Sequence, residues 1–224
     1  MSGWRFWEKR SKPKDFVKEY LEKNSEKIPG IRTLDQLEFV VLDTETTGFD
    51  LNQDHVLSFG AVKITNRKIQ ISETLELYPV SDRSVSSTVA IHGILEMENR
   101  ISLEDFSKKL LEFIGNGILV GHHLGYDLEM LLRILQGFGL NKFQNPVLDT
   151  MTFSMRLDHG PLADFSQIQQ DSYSLDALCQ RFGIALDDRH TAGGDAFLTA
   201  QLLQKLLIAG EKKGIKNFRD LIGR

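Results

Sequence analysis

Phe39-Val-Val-Leu-Asp-Thr-Glu-Thr-Thr-Gly48 is the stretch on which the fold turns. Four apolar residues in a row read as a buried strand. Asp43 follows them directly, so it emerges from a core rather than from a surface strand. Strand side chains alternate faces, which puts Asp43 and Glu45 on one side. Two carboxylates placed together repel and lose solvation unless a cation lies between them. A divalent ion with hard oxygen ligands answers both problems. The plain alternative is a solvated strand end, since Asp-x-Glu is a common triplet. Thr46-Thr-Gly48 adds a tight turn whose N–H and hydroxyl groups can hold a sugar or phosphate.

Outward from this strand, residues 56–64 and 68–78 read as two more, with Ile69, Ile71, Leu75 and Leu77 alternating with polar residues in the last. Short connections favour antiparallel hairpins. After Pro79 the period changes to helical. Ser102-Leu-Glu-Asp105 resembles a capping box ahead of the apolar face Phe106, Leu110, Leu111 and Ile114. Ile118-Leu-Val120 predicts a fourth strand, followed by a helix through Leu128 and Leu135, and Pro146-Val-Leu148 predicts a fifth. Helices are expected near 150–156, 174–182 and 193–209, with an exposed polar loop over 158–173. Three hairpin strands, then strands alternating with helices, imply an α/β fold with a mixed sheet.

Residues 1–35 read as an N-terminal helical extension. Phe16, Val17, Tyr20 and Leu21 have helical spacing within 14–27, and Pro29-Gly30 ends the pattern. Trp4, Phe6 and Trp7 are its candidate partner-binding residues. The body is expected over 36–209 and a short basic segment over 210–224. Residues 1–35 carry 9 Lys+Arg against 6 Asp+Glu, and residues 210–224 carry 5 against 2. The remainder is therefore acidic, a poor bare surface for nucleic acid unless cations sit in it. No apolar run has membrane-spanning length, and no secretory signal is expected at the start. One cysteine, Cys179, forms no internal disulfide, which suits a reducing, cytoplasmic setting.

Two further acidic positions stand out. Asp127 lies in Val120-Gly-His-His-Leu-Gly-Tyr-Asp-Leu128, near a helix start where the dipole alone favours an acid. Asp195 closes Arg189-His-Thr-Ala-Gly-Gly-Asp195. Gly193 and Gly194 each cost a helix interior about 1 kcal/mol relative to Ala, which suggests a close backbone approach. Four carboxylates balance two divalent cations. Two ions about 3.5–4 Å apart suit in-line displacement at phosphorus, and His190 has the proton affinity to serve as base.

At these residues the chain resembles the DnaQ-like (DEDDh) exonucleases, the group that includes the proofreading epsilon subunit of bacterial DNA polymerase III. Val40-Val-Leu-Asp-Thr-Glu-Thr-Thr-Gly48, Val120-Gly-His-His-Leu-Gly-Tyr-Asp127 and His190-Thr-Ala-Gly-Gly-Asp195 match three motifs in the family's order. Ile91-His-Gly-Ile94 and Ser174-Leu-Asp-Ala-Leu-Cys179 also fit. The likeness covers about 38–208. It implies a ribonuclease H-like fold with a mixed five-stranded sheet, the first three strands antiparallel. It also implies hydrolysis of DNA from the 3′ end to nucleoside 5′-monophosphates with two Mg²⁺ or Mn²⁺. By position, Asp43, Glu45 and Asp195 would hold the metal that activates water, Asp43 and Asp127 the leaving-group metal, and His190 would be the base. Thr46, Ile91, His92 and Tyr126 would contact the terminal nucleotide. His123 stands where the family usually has asparagine. The long polymerase-binding tail of epsilon has no counterpart, so a stand-alone relative is expected, acting on single-stranded or frayed 3′ ends in proofreading or repair. A polymerase or another replication or repair protein is the expected protein partner, and no membrane is.

Two alternatives stand beside this reading: an RNA 3′–5′ exonuclease of the RNase T or oligoribonuclease type, and a non-catalytic nucleic-acid-binding or scaffold subunit. Elsewhere, His55 and His159 read as surface residues and His122 as a buried, hydrogen-bonded histidine. Asp149 reads as a helix cap and Cys179 as core. The basic Lys212, Lys213 and Lys216 read as a solvated face.

Overall fold

The structure, a computed structural model, describes residues 11–80 and 99–223. Its centre is one five-stranded sheet in the order β3-β2-β1-β4-β5. The strands are β1 (Phe39–Thr46), β2 (Val56–Thr65), β3 (Lys68–Leu77), β4 (Ile118–Gly121) and β5 (Val147–Asp149). The first three pair antiparallel, and β4 and β5 join parallel to β1. This is the expected mixed topology.

The alternation along β1 divides the core. Phe39 and Val41 face one cluster, with the helices α4 (Thr150–His159), α5 (Leu175–Phe182) and α6 (Ala192–Lys212). Val40 and Leu42 face the other, with α1 (Asp15–Lys23), α2 (Leu103–Ile114) and α3 (Gly125–Gln136). By the same alternation Asp43 and Glu45 point toward α6, and Thr44 points toward α3.

The period-2 pattern of β3 breaks at a bulge. Lys63 pairs with Gln70 but Val62 pairs with Thr74, so residues 71–73 swing out of the ladder. Ile71, expected inward with Ile69, is 74% exposed as a result. Ser102 caps α2 as expected: its Oγ accepts from the Asp105 N–H at 3.0 Å and donates to Asp105 Oδ2 at 2.7 Å. The span 158–173 is less irregular than its polarity suggests. Helix α4 continues to His159, and two short 3-10 turns, Phe165–Gln167 and Gln170–Tyr173, follow. His159, expected in a loop, ends that helix with Nε2 2.8 Å from the Tyr173 hydroxyl.

Helix α1 docks on the body through the buried Val17 and Tyr20. The Tyr20 hydroxyl donates to Asn145 Oδ1 at 2.6 Å and accepts from the Gln144 N–H at 2.8 Å. At the other end of the chain, α6 runs through position 209 to Lys212, and α7 (Phe218–Ile222) seats a fully buried Leu221 in the same core. Trp4, Phe6 and Trp7 lie outside the described residues.

Candidate active site

The site forms where β1 leaves the sheet. Asp43 and Glu45 reach one face, and Asp195, in the first turn of α6, comes to meet them. One carboxylate oxygen from each of the three lies within 4.8 Å of the others. A missing side chain permits the approach. Gly60 is Asp43's direct partner across the β1–β2 ladder, so its substituent would point to the same face. A β-carbon there would fall 2.3 Å from the carbonyl carbon of Ala192 and from the Gly193 nitrogen. Helix α6 therefore begins in contact with strand backbone. Gly194 serves the incoming loop in the same way, since a β-carbon on it would meet the Asp188 carbonyl oxygen at 1.9 Å. The close approach expected around Gly193 and Gly194 is thus made by the protein's own backbone.

Asp127 stands beside this trio, reached from the opposite face of β1. Thr44, pointing toward α3, donates to Asp127 Oδ1 from its hydroxyl at 2.5 Å and from its N–H at 3.0 Å. The first motif thus holds the acid of the second through the residue between its own two acids.

The electrostatics are unfavourable to charge. Burial, then the charges of Asp127, Asp195 and Glu45, push the Asp43 carboxyl well above the usual range, with Arg189 opposing. Burial raises Asp127 to about 6, against the two hydrogen bonds from Thr44. Asp195 is 8% exposed, and its Oδ1 is buried with no hydrogen-bond partner among the described residues. A buried carboxylate oxygen without a donor costs free energy unless a cation meets it. All-carboxylate donors fit a hard divalent ion such as Mg²⁺ or Mn²⁺.

His190 is exposed on the loop before α6, with a left-handed backbone at φ +64. Thr46 and Tyr126 converge on the turn rather than on open space: their hydroxyls both donate to the Gly48 carbonyl, at 2.8 and 2.6 Å. The Phe49 ring, 91% exposed, lies 5.8 Å from that of Tyr126. Ile91 and His92 lie outside the described residues.

Around the histidines, position 123 adopts φ +61, a region asparagine and histidine enter more readily than most residues. Histidine therefore meets the backbone demand of this position, as asparagine would. His122 Nδ1 lies 3.0 Å from Thr150 Oγ1, and burial lowers its pKa to about 4. Asp149 caps α4 by accepting from the Thr152 N–H at 2.9 Å, and its second oxygen accepts from the Leu124 N–H at 2.8 Å. This second bond ties β5 to the start of α3. Cys179 is fully buried, with its thiol pushed up to about 11 by burial, as a core residue should be.

Thr44, Gly60 and Arg189 are the participants that motif reading passes over. Arg189 pairs through Nη1 with Asp195 Oδ2 and through Nε with Asp176 Oδ1, the latter at 2.6 Å. The signals were present: alternation places Thr44 opposite its neighbours, and an isolated glycine inside a strand marks a close backbone approach.

Comparison with known proteins agrees with this geometry. The exonuclease family model matches residues 40–203. A DNA polymerase III subunit epsilon-like protein of Rhodobacter capsulatus is 34% identical over 191 residues, 83% of this chain and 26% of that protein. The DNA polymerase III subunit epsilon of Aquifex aeolicus is 28% identical over 172 residues, 75% of this chain and 80% of its own. The chain thus spans about a quarter of the first relative and most of the second. Escherichia coli exonuclease I, solved with a dT13 oligonucleotide, superimposes with a TM-score of 0.63 at 18% identity, over 80% of this chain and 42% of that one. That likeness shows a shared ribonuclease H-like fold. With the family model spanning β1 to α6 and every carboxylate of the cluster inside it, the chain belongs to the exonuclease family.

Proposed function

We propose that the chain is a metal-dependent 3′–5′ exonuclease that trims single-stranded or frayed DNA ends to nucleoside 5′-monophosphates. The observation that carries the reading is the meeting of Asp43, Glu45 and Asp195, one oxygen from each within 4.8 Å of the others, with a buried Asp195 Oδ1 that has no hydrogen-bond partner among the described residues. Asp43, Glu45 and Asp195 would hold one divalent ion, Mg²⁺ or Mn²⁺, and Asp43 with Asp127 a second. Bound there, such ions would supply a nucleophilic hydroxide and neutralise charge on the departing ester oxygen. The chain's own residues do the rest. Thr44 keeps Asp127 oriented. His190, exposed on the loop that leads into the helix carrying Asp195, would take the proton of the attacking water. The open Phe49 ring offers a face on which a base can stack.

DNA as substrate is supported by the relatives, which are named as DNA polymerase III subunits or their likenesses, and by the oligonucleotide held in exonuclease I. A polymerase or another replication or repair protein is the partner class these relatives suggest. The test is an assay of 5′-labelled single-stranded DNA and RNA with Mg²⁺ and with EDTA. Stepwise shortening of DNA with Mg²⁺ alone is expected. No trimming of either polymer by folded protein would overturn the enzymatic reading, and trimming confined to RNA would overturn the substrate.

A further inference from the structure

We infer that Arg189 is a built-in counter-cation of the carboxylate cluster: it occupies one oxygen of Asp195 and weakens the site's hold on a divalent ion. This rests on the metal reading above. The Arg189 side chain is 20% exposed and the Asp195 side chain 11%, so their ion pair is shielded from water. At its outer end Arg189 is anchored by Asp176, whose side chain is 54% exposed on α5. The guanidinium thus spans two carboxylates and places its positive charge against Asp195. The bridge leaves Asp195 Oδ1 buried and without a hydrogen-bond partner among the described residues while Oδ2 is taken. Without an ion, Arg189 offsets part of the repulsion among four acids. When an ion arrives, the same positive charge repels it, and one Asp195 oxygen remains for coordination. The residue thus stabilises the empty site and holds metal binding below what the acids alone would give.

The test is a Mn²⁺ titration without nucleic acid, followed by the electron paramagnetic resonance of free Mn²⁺. Arg189→Gln, which removes the charge, is expected to tighten Mn²⁺ binding at least roughly tenfold, the lower, water-screened end of what a unit charge near a divalent ion is worth. Arg189→Lys, which keeps the charge, is expected to stay within about threefold of the wild type. In EDTA the Gln variant should melt below the wild type, and Mn²⁺ should raise its Tm by more. A variant too unstable without metal can be purified with Mn²⁺ and its affinity read by competition with a chelator. Unchanged or weaker Mn²⁺ binding by Arg189→Gln overturns the inference, as does equal tightening by Arg189→Lys. If the wild type binds no Mn²⁺, the metal reading itself falls, which separates the two failures.

Discussion

Gly60 lies against Ala192 so closely that a β-carbon on the glycine would sit 2.3 Å from the alanine's carbonyl carbon. This contact sets the distance between β1, which carries Asp43 and Glu45, and α6, which carries Asp195. Gly60→Ala cannot be absorbed by a flexible side chain, because backbone stands in the way. The helix start must move out, with an overpacking cost of about 1–3 kcal/mol. The expected result is a folded protein with lower Tm, weaker Mn²⁺ binding and little exonuclease activity. Calorimetry of melting and of Mn²⁺ binding checks it, and unaltered Mn²⁺ affinity would mean that Gly60 does not set the site.

Burial and the charges of Asp127, Asp195 and Glu45 oppose the ionised form of Asp43. Asp43→Ala is expected to abolish turnover and leave the fold intact. Asp43→Asn should do the same to activity and, in EDTA, raise Tm above the wild type, because it removes a buried charge facing other carboxylates. Melting curves followed by circular dichroism test this. A lower Tm for the Asn variant would mean that Asp43 stabilises the metal-free fold.

How much of this was readable in the chain follows from the range of each interaction. Asp43 and Glu45 share a face by strand geometry alone, and the apolar run before them places that face at a core edge. The five-stranded sheet is implied by the family resemblance alone, whereas the helices and the hairpin pairing of the first three strands follow from period and spacing for the same local reason. The bulge at residues 71–73 does not, because it is set by how β3 meets β2 and not by β3's own pattern. The convergence of Asp195 with Asp43 needs the Gly60 contact across two elements far apart in sequence. The arginine bridge from Asp195 to Asp176 likewise joins a loop and a helix whose closeness no spacing encodes.

The pH dependence of the metal-free protein follows from Asp127. Its folded pKa, about 6, lies above the ordinary aspartate value of 3.8. The folded state therefore binds the proton more tightly than the unfolded chain does. The stability this contributes is fully present below about pH 4 and is lost as pH rises through 6. In EDTA, the Tm of the wild type relative to Asp127→Asn should fall between pH 4 and pH 7. Saturating Mn²⁺ should flatten that difference, since the bound ion stabilises the charged form. A difference that rises with pH would reverse the assignment.

His190 combines an exposed imidazole with a left-handed backbone, so alanine at this position would mix strain with loss of the base. Asparagine tolerates that backbone and separates the two effects. His190→Asn is expected to lower kcat by roughly 10²–10⁴-fold, the usual scale for a general base, with substrate affinity nearly unchanged. Single-turnover kinetics and fluorescence anisotropy with labelled DNA measure the two. An equal loss in both would assign His190 to binding.

Tyr20 tests whether the N-terminal helix is structural. It is 2% exposed, and its hydroxyl joins Asn145 and Gln144 at the entry to β5. Asn145 Nδ2 in turn donates to the carbonyls of Gly115 and Gly117, at 3.1 and 2.8 Å, where the chain enters β4. The clamp thus closes the ends of β4 and β5 opposite those that lead to Asp127 and Asp149. Tyr20→Phe leaves the Gln144 N–H and Asn145 Oδ1 without this partner, at a cost of about 1–3 kcal/mol. Denaturant unfolding should show that loss. At 25 °C, where the variant is still folded, kcat/KM should stay within about twofold of the wild type, because the clamp lies at the opposite end of β4 and β5 from the carboxylates. A large fall in kcat/KM without a change in stability would give the helix a direct part in the reaction.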